Sequence, residues 1–515
     1  MPESNQVRVT GRYALQCAHE TSLRPLGSHF HLGPFDHLVW PYLPVECVFV
    51  YRKPADEHVS SITSSEFFPS ELLRQAASHL LDYYPHLTGR LQWNTDINAW
   101  GVGKLGTGAE FLEAQYPDRL DNLIPPTRSP RRLLLTDLPG SGKSLAPPFD
   151  RSIEAISVNP ILAIQKTQFT CGGVVLAIRI HHIVCDANGF FQVARNFAEL
   201  YRQLRSSNCP VLTKTPQIRS YLLEIDQLSP EEQQAALQYQ PSIVRLVDPA
   251  EEEPQAVVST PLPTVGRALR FSGERLAQLK ASATNPDGST WVSTLEALSA
   301  LLLQRVYQAK VEMLLSQGVT PVEIPDLLKR SFWGAMDTRE PGRLALPPNY
   351  FPNAVYPAQD VFSHDLLVKG PLWKVAEAVH RVFRTVGPEK MENTARWIVA
   401  QPDKSRVKQV YGLGAGGFIV TQWTKTHMYE GVHFECGGRG EPLHPFLVSA
   451  PFTDTYLEDN LAVVMSTGEE LEIETENTGA AAPSPSRGPD LVVNFALSEP
   501  VWRLLDKDPD FPQVE

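Results

Sequence analysis

The sequence predicts a mixed α/β protein built as two domains, and three observations carry that reading. The chain has 515 residues, too many for one ordinary core, and a division by ~150 residues per domain gives two to four compact units. Between Gly173 and Tyr201 an apolar, β-branched run passes through a short polar loop into an amphipathic stretch, the pattern of strand, loop and helix. Beyond an acidic, proline-containing stretch, a second core opens at Trp291 with its own capped helix. Two domains are the simplest fit, over 1–222 and 264–515, with a crossover linker at 223–263.

Taken in order, Ser70 caps an early helix in which Leu72, Leu73, Ala76, Ala77, Leu80 and Leu81 recur at helical spacing, ending near Tyr83-Tyr84-Pro85. Gly89-Arg90-Leu91 turns into the next segment. Gly173 to Ile180 reads as a buried strand, and from Gly189 a helix places Phe190, Val193, Ala194, Phe197 and Tyr201 on one face. The linker centres on Glu251-Glu252-Glu253-Pro254. In the second half, Ser293 and Glu296 have capping-box spacing ahead of a long apolar helix. A further helix is expected over Trp373 to Val386, and strands over Gly417 to Trp423 and Leu491 to Leu497. Residues Glu476 to Pro489 read as a surface loop, and no internal repeat is visible.

Composition narrows the function. The chain is 42% hydrophobic and 20% charged, which excludes general disorder. A formal net charge of -12 argues against a nucleic-acid surface, because phosphate binding needs clustered Lys and Arg. Cys17, Cys47, Cys171, Cys185, Cys209 and Cys436 form no C-x-x-C pair, so reduced thiols are expected, with neither a zinc site nor a disulfide frame. The opening Met1-Pro2-Glu3-Ser4-Asn5-Gln6 has no basic segment leading to an apolar core, and no apolar run approaches ~18 residues. A soluble, cytoplasmic protein with no membrane partner is expected.

The chemistry centres on His181-His182-Ile183-Val184-Cys185-Asp186, which falls at the end of the expected strand. A His able to take a proton, with an Asp four residues on, is minimal equipment for acyl transfer to a hydroxyl. With 14 His in the chain, a bare His-x-x-x-Asp match arises on the order of once by chance, so its surroundings must decide. The competing reading is a core histidine followed by a helix-capping Asp.

Those surroundings resemble the BAHD acyltransferases, which move an acyl group from coenzyme A to an alcohol or amine. Tyr83-Tyr84-Pro85-His86-Leu87-Thr88-Gly89-Arg90-Leu91 is similar to the family's YYPLAGRL, and His182 to Asp186 matches its HxxxD. Ser293 to Arg305 resembles the long helix of its second domain. Asp337-Thr338-Arg339 and Pro348-Asn349-Tyr350-Phe351-Pro352-Asn353-Ala354-Val355 are similar to its DxR and GYFGNAV stretch. Val420-Thr421-Gln422-Trp423 resembles ITSW, and Leu491 to Phe511 its closing strand and helix. The form Asp186-Ala187-Asn188-Gly189 is closer to the fungal branch that includes trichothecene O-acetyltransferases.

The resemblance implies two chloramphenicol-acetyltransferase-like domains of mixed sheet flanked by helices, with a solvent channel between them. It implies His182 as general base and Asp186 as a structural brace, with His181 a bystander. Trp423 stands at the position associated with the oxyanion, with core packing as the competing reading, and Thr421 is assigned to substrate contact. Coenzyme A, a co-substrate and not a resident cofactor, is expected near Ser293, Arg339 and the Gly437-Gly438-Arg439-Gly440 turn. An ordinary surface turn is the competing reading for the last. No metal is called for, and the expected partners are a small-molecule alcohol and an acyl-CoA, acetyl-CoA by default, bound to a monomer.

One departure stands out. The family's DFGWG falls at His433-Phe434-Glu435-Cys436-Gly437, so its Asp is replaced by His433. By the resemblance that Asp pairs with the DxR arginine, Arg339, and a stranded buried guanidinium costs several kcal/mol. Either Glu435 or another acid supplies the charge, or Arg339 is exposed. Three alternatives to direct acyl-CoA chemistry stay open: acyl transfer from a carrier protein by a condensation-type fold, a catalytically silent binding protein, and a non-acylating reaction such as a cyclisation.

Overall fold

The computed structural model describes residues 6–54, 67–95, 98–128, 132–207, 209–248, 263–410, 416–437, 440–468 and 488–511. The linker centre at 249–262 and most of the expected loop, 476–487, lie outside the described residues.

In the first half the strands are β1 (Arg8–Leu15), β2 (Pro44–Tyr51), β3 (Arg90–Asn94), β4 (Ala99–Gly103), β5 (Ala109–Tyr116), β6 (Leu162–Phe169) and β7 (Val174–His181). The second half adds β8 (Val244–Leu246), β9 (Thr264–Phe271), β10 (Ser331–Asp337), β11 (Val355–Val361) and β12 (Val407–Gln409). It ends with β13 (Phe418–Gln422), β14 (Leu447–Ser449), β15 (Leu461–Ser466) and β16 (Leu491–Ser498). Two mixed six-stranded sheets result, in the orders β1-β5-β6-β7-β2-β14 and β11-β10-β13-β15-β16-β9. Pairing is parallel at β5/β6, β10/β13 and β13/β15, and antiparallel elsewhere in both sheets.

The chain-order division expected at 223–263 does not separate the sheets completely. Strand β14 comes from the second half and pairs with β2 of the first sheet, Leu447 opposite Val50. It covers ladder groups on β2 that would otherwise be an unpaired edge.

Helices pack on each sheet as the periodicities predict. Helix α1 (Ser70–Tyr83) buries Leu73, Ala76, Ala77, Leu80 and Leu81. Ser70 is its first residue and not its cap: Pro69 holds the cap position without a side-chain bond, and Ser70 Oγ accepts from Lys166 Nζ at 3.1 Å. Helix α2 (Ala187–Leu204) turns Phe190, Val193, Ala194, Phe197 and Tyr201 into the same core, the predicted face. In the second half, the helix Thr294–Ser316 carries the expected capping box and packs beside Leu372–Arg384 over the second sheet. Both cores are continuous apolar clusters, and the first also takes in Phe351, Ile419, Trp423 and Phe434 from the second half of the chain. The two halves are thereby joined around the space in which the candidate residues sit.

Candidate active site

Every residue of β7 is buried, because its apolar run lies inside the first sheet with neighbours on both sides. The β2/β7 register sets Pro44 opposite His181, and the His182 amide donates to the Leu43 carbonyl at 2.8 Å. One 3-10 turn (His182–Val184) then delivers the chain to Asp186, the N-cap of α2. A cavity of about 200 Å³ opens there between the sheets, with His182, Asp186, Trp333, Thr421, Trp423 and Tyr456 in its wall. Of the predicted site residues, His182, Asp186, Thr421 and Trp423 are brought together.

His182 is half-buried, and its Nδ1 is enclosed without a hydrogen-bond partner. That leaves Nε2 as the ring nitrogen open to the cavity. Burial lowers its pKa below the ordinary histidine value, and the opposing effect of Asp186 does not cancel it. The ring is therefore neutral near pH 7, the form that accepts a proton.

Asp186 is turned the other way. Its side chain is 2% exposed, accepts from Gly189 N at 3.0 Å and Ala354 N at 2.8 Å, and forms a two-pronged pair with Arg339. Arg339 Nη1 lies 2.9 Å from Oδ2 and Nη2 3.1 Å from Oδ1. Gly189 is required by this close approach, since a Cβ there would come within 2.4 Å of the Phe351 carbonyl oxygen. The displaced glycine of Asp-Ala-Asn-Gly is thus the helix residue whose amide the aspartate caps.

Arg339 settles one set of alternatives in favour of another acid and corrects one expectation. Its acid partners are Asp186 and Asp337, not a residue of the 433–437 segment. Its remaining donors go to the carbonyls of Tyr350 and Pro352, so a guanidinium only 8% exposed has none left for a coenzyme phosphate. Burial opposes its charge, but Asp186 and Asp337 outweigh that and raise its pKa. Replacement of the expected aspartate by His433 therefore strands nothing. Burial pulls His433 down to about 4, its ring lies 5.3 Å from that of His444, and its carbonyl accepts from Arg202. Glu435 is engaged separately by Arg205, Tyr201 and the Phe68 amide.

The other predicted residues separate by position. Trp423 is nine-tenths buried, its ring in edge contact with Phe191 at 5.8 Å and Tyr456 at 6.0 Å, yet it lines the cavity and its indole N–H has no acceptor among the described residues. The Thr421 hydroxyl, also on the cavity, has no partner among the described residues. Ser293 is absent from the cavity wall; its Oγ accepts from Glu296 N at 3.2 Å while Glu296 accepts from Ser293 N at 2.6 Å. Arg439 lies outside the described residues. His181 is fully buried against Phe149, and burial takes it to about 3. Cys185 is buried and its thiol pushed well above its ordinary pKa by burial, the opposite of an activated nucleophile.

Two residues went unnoticed in the sequence. Asp36, 2% exposed, accepts from Gly33 N at 2.7 Å and from Asn353 through both its amide, 2.9 Å, and its Nδ2, 2.8 Å. Asn353 Nδ2 also donates to the His182 carbonyl at 2.8 Å, which fixes the backbone that carries the imidazole. Asn353 sits in the quoted Pro352-Asn353-Ala354 stretch, so its position was visible; nothing near Asp36 marks it.

The chain is similar in sequence and in fold to known transferases. A model of the Transferase family matches residues 5–465. Hydroxycinnamoyltransferase of Narcissus pseudonarcissus is 23% identical over 399 residues, 76% of this chain and 81% of that relative. Taxadien-5-alpha-ol O-acetyltransferase of Taxus chinensis is 34% identical over 139 residues, 26% of this chain and 28% of that one. Vinorine synthase shares the fold with a TM-score of 0.65 at 15% identity, covering 99% of both chains. TRI101 of F. graminearum, complexed with coenzyme A and deoxynivalenol, gives 0.61 at 15% identity, covering 94% of this chain and 98% of that one.

Proposed function

The chain belongs to the Transferase family, the BAHD acyl-CoA-dependent acyltransferases that act on hydroxyl or amine groups of metabolites, and from that premise we propose an O-acyltransferase of specialised metabolism with His182 as its general base. The observation that carries this reading is a neutral imidazole with one free nitrogen on a cavity shared by both halves of the chain.

In this mechanism the acceptor hydroxyl donates its proton to His182 Nε2 as its oxygen attacks the thioester carbonyl carbon. An alcohol of pKa ~16 is a poor nucleophile at neutral pH, and a positioned base contributes roughly 10²–10⁴ in rate. Negative charge gathers on the former carbonyl oxygen, where the unpartnered Trp423 N–H and Thr421 hydroxyl are donors. Collapse breaks the carbon–sulfur bond, and the coenzyme A thiolate takes the proton from the imidazolium. Transfer is direct, because a buried, protonated Cys185 thiol does not support an acyl-enzyme. Acyl-CoA is a co-substrate throughout, with no resident cofactor.

The acceptor is read as an apolar alcohol of terpenoid, alkaloid or polyketide type. Phe35, Leu38, Trp40, Leu43 and Ile419 give the cavity a stretch of hydrocarbon wall, with Asn188 and Gln409 among its polar groups. The partial match to an O-acetyltransferase of a taxadienol supports acetyl as the acyl group, and the likeness to TRI101 supports the fungal branch. A cytoplasmic monomer completes the proposal. Incubating candidate alcohols with a panel of free acyl-CoA esters, and reading ester mass together with released thiol, tests it. Ester formed at one hydroxyl with equal thiol release is expected; ester formed only from a carrier-bound acyl group, or none across the panel, overturns it.

A further inference from the structure

Away from the cavity, two imidazoles and a carboxylate converge where the chain leaving β1 crosses the end of α1. His79 and Asp82 lie three residues apart on α1, and His19 is laid against them by a backbone bond from Ala18 N to Ser78 O of 3.0 Å. Asp82 Oδ1 is taken by two donors, His19 N at 2.9 Å and Ser22 Oγ at 3.0 Å. Oδ2 is left to the rings: His19 Nδ1 stands 2.8 Å from it and His79 Nδ1 3.8 Å. One ligand atom from each of the three residues lies within 4.8 Å of the others.

Three physical arguments point to a cation at this position. Two imidazole nitrogens and one carboxylate oxygen are a donor set that suits a borderline divalent ion. Ligands held ~2.1 Å from a tetrahedral ion sit roughly 3.4 Å apart, a spacing bracketed by the two nitrogen–oxygen distances here. Asp82 also occupies the last turn of α1, where the helix dipole disfavours a carboxylate, and that turn holds no basic residue.

We propose that His19, His79 and Asp82 bind one divalent transition-metal ion of the zinc class, which clamps the segment after β1 to the C-terminal end of α1 and leaves a position to water. Cysteine spacing gave no sign of it, because the ligands are histidines brought together from two elements. None of the three lines the cavity, so the proposal stands apart from the acyl-transfer reading.

The test titrates Zn²⁺ alone into the full-length, reduced chain near neutral pH, by calorimetry and by thermal melting. Wild type is expected to bind one equivalent and to melt several degrees higher with metal. His19→Ala, at an exposed residue, and His79→Gln should each weaken binding by at least ~10-fold and lose the rise in melting temperature, with metal-free acyl transfer unchanged. Wild type that takes up no Zn²⁺ at about 100 μM, or variants that bind as tightly as wild type, overturns the site and leaves His19 and Asp82 as a plain surface ion pair. A Co²⁺ spectrum carrying a thiolate charge-transfer band also overturns it, by moving the ion to a cysteine.

Discussion

Arg339 closes on both carboxylate oxygens of Asp186, across 153 residues of sequence, and ties the loop that carries His182 to the second half of the chain. Both side chains are almost fully enclosed, 8% and 2% exposed, so removal of Arg339 leaves the Asp186 charge uncompensated in the interior, and removal of Asp186 leaves the guanidinium only the less enclosed Asp337. Asp186→Ala should destabilise the fold by about 3–5 kcal/mol, with activity falling along with melting temperature. Arg339→Ala should cost a similar amount, and the double variant less than the sum of the two. Equal melting temperatures for wild type and Asp186→Ala would contradict a structural role.

His182→Ala should behave oppositely. The imidazole Nδ1 has no hydrogen-bond partner, and the bond from Asn353 Nδ2 goes to the backbone carbonyl, which alanine keeps. Turnover should fall by ~10² or more with melting temperature nearly unchanged. A variant as fast as wild type removes His182 from the chemistry.

The pH profile follows from burial. Protonated His182 cannot act as base, and its pKa lies below the ordinary value. Activity should therefore persist as pH falls through ~6.5, with the acid limb of kcat/KM appearing only at lower pH. A limb at or above ~6.5 would assign the titration to another group.

Trp423→Phe separates packing from hydrogen bonding. Phenylalanine keeps an aromatic edge toward Phe191 and Tyr456 but removes the N–H, which has no acceptor among the described residues. A loss of roughly 10² in kcat with KM little changed is expected of an oxyanion donor. Unchanged kcat would leave Trp423 as a packing residue.

Asp36 predicts a pH dependence of stability. Burial raises it from 3.8 to about 7, even though Asn353 and Gly33 bond to its charged form. Between those values the folded chain holds a proton that the unfolded chain has released, so stability falls as pH rises through the window. Asp36→Asn cannot titrate, and its melting temperature should change less between pH 4 and pH 7 than that of wild type. Parallel curves would place Asp36 in its ionised form throughout.

What could be read in advance was local. Apolar alternation and 3.6-residue periodicity marked β7, α2 and the helix Thr294–Ser316, and Ser293 with Glu296 marked a helix start that the structure forms as a capping box. His182 and Asp186 were legible because they lie four residues apart at a strand end, within one turn of chain. The cap expected at Ser70 failed because a serine before an apolar run is compatible with two adjacent helix starts, and a long-range bond from Lys166 uses its hydroxyl.

By itself the sequence determined several of the elements, the two-part mixed-sheet class and the family, since periodicity, caps and motif order are written within short stretches of chain. Only the tertiary structure decided which carboxylate answers Arg339, that Asp36 reaches Asn353 across 317 positions to hold the His182 backbone, and that His19 meets His79 and Asp82. The reason is physical. A buried charge takes as partner whichever opposite group the packed sheets leave within reach once water is gone, and that choice is made in space between residues distant in sequence.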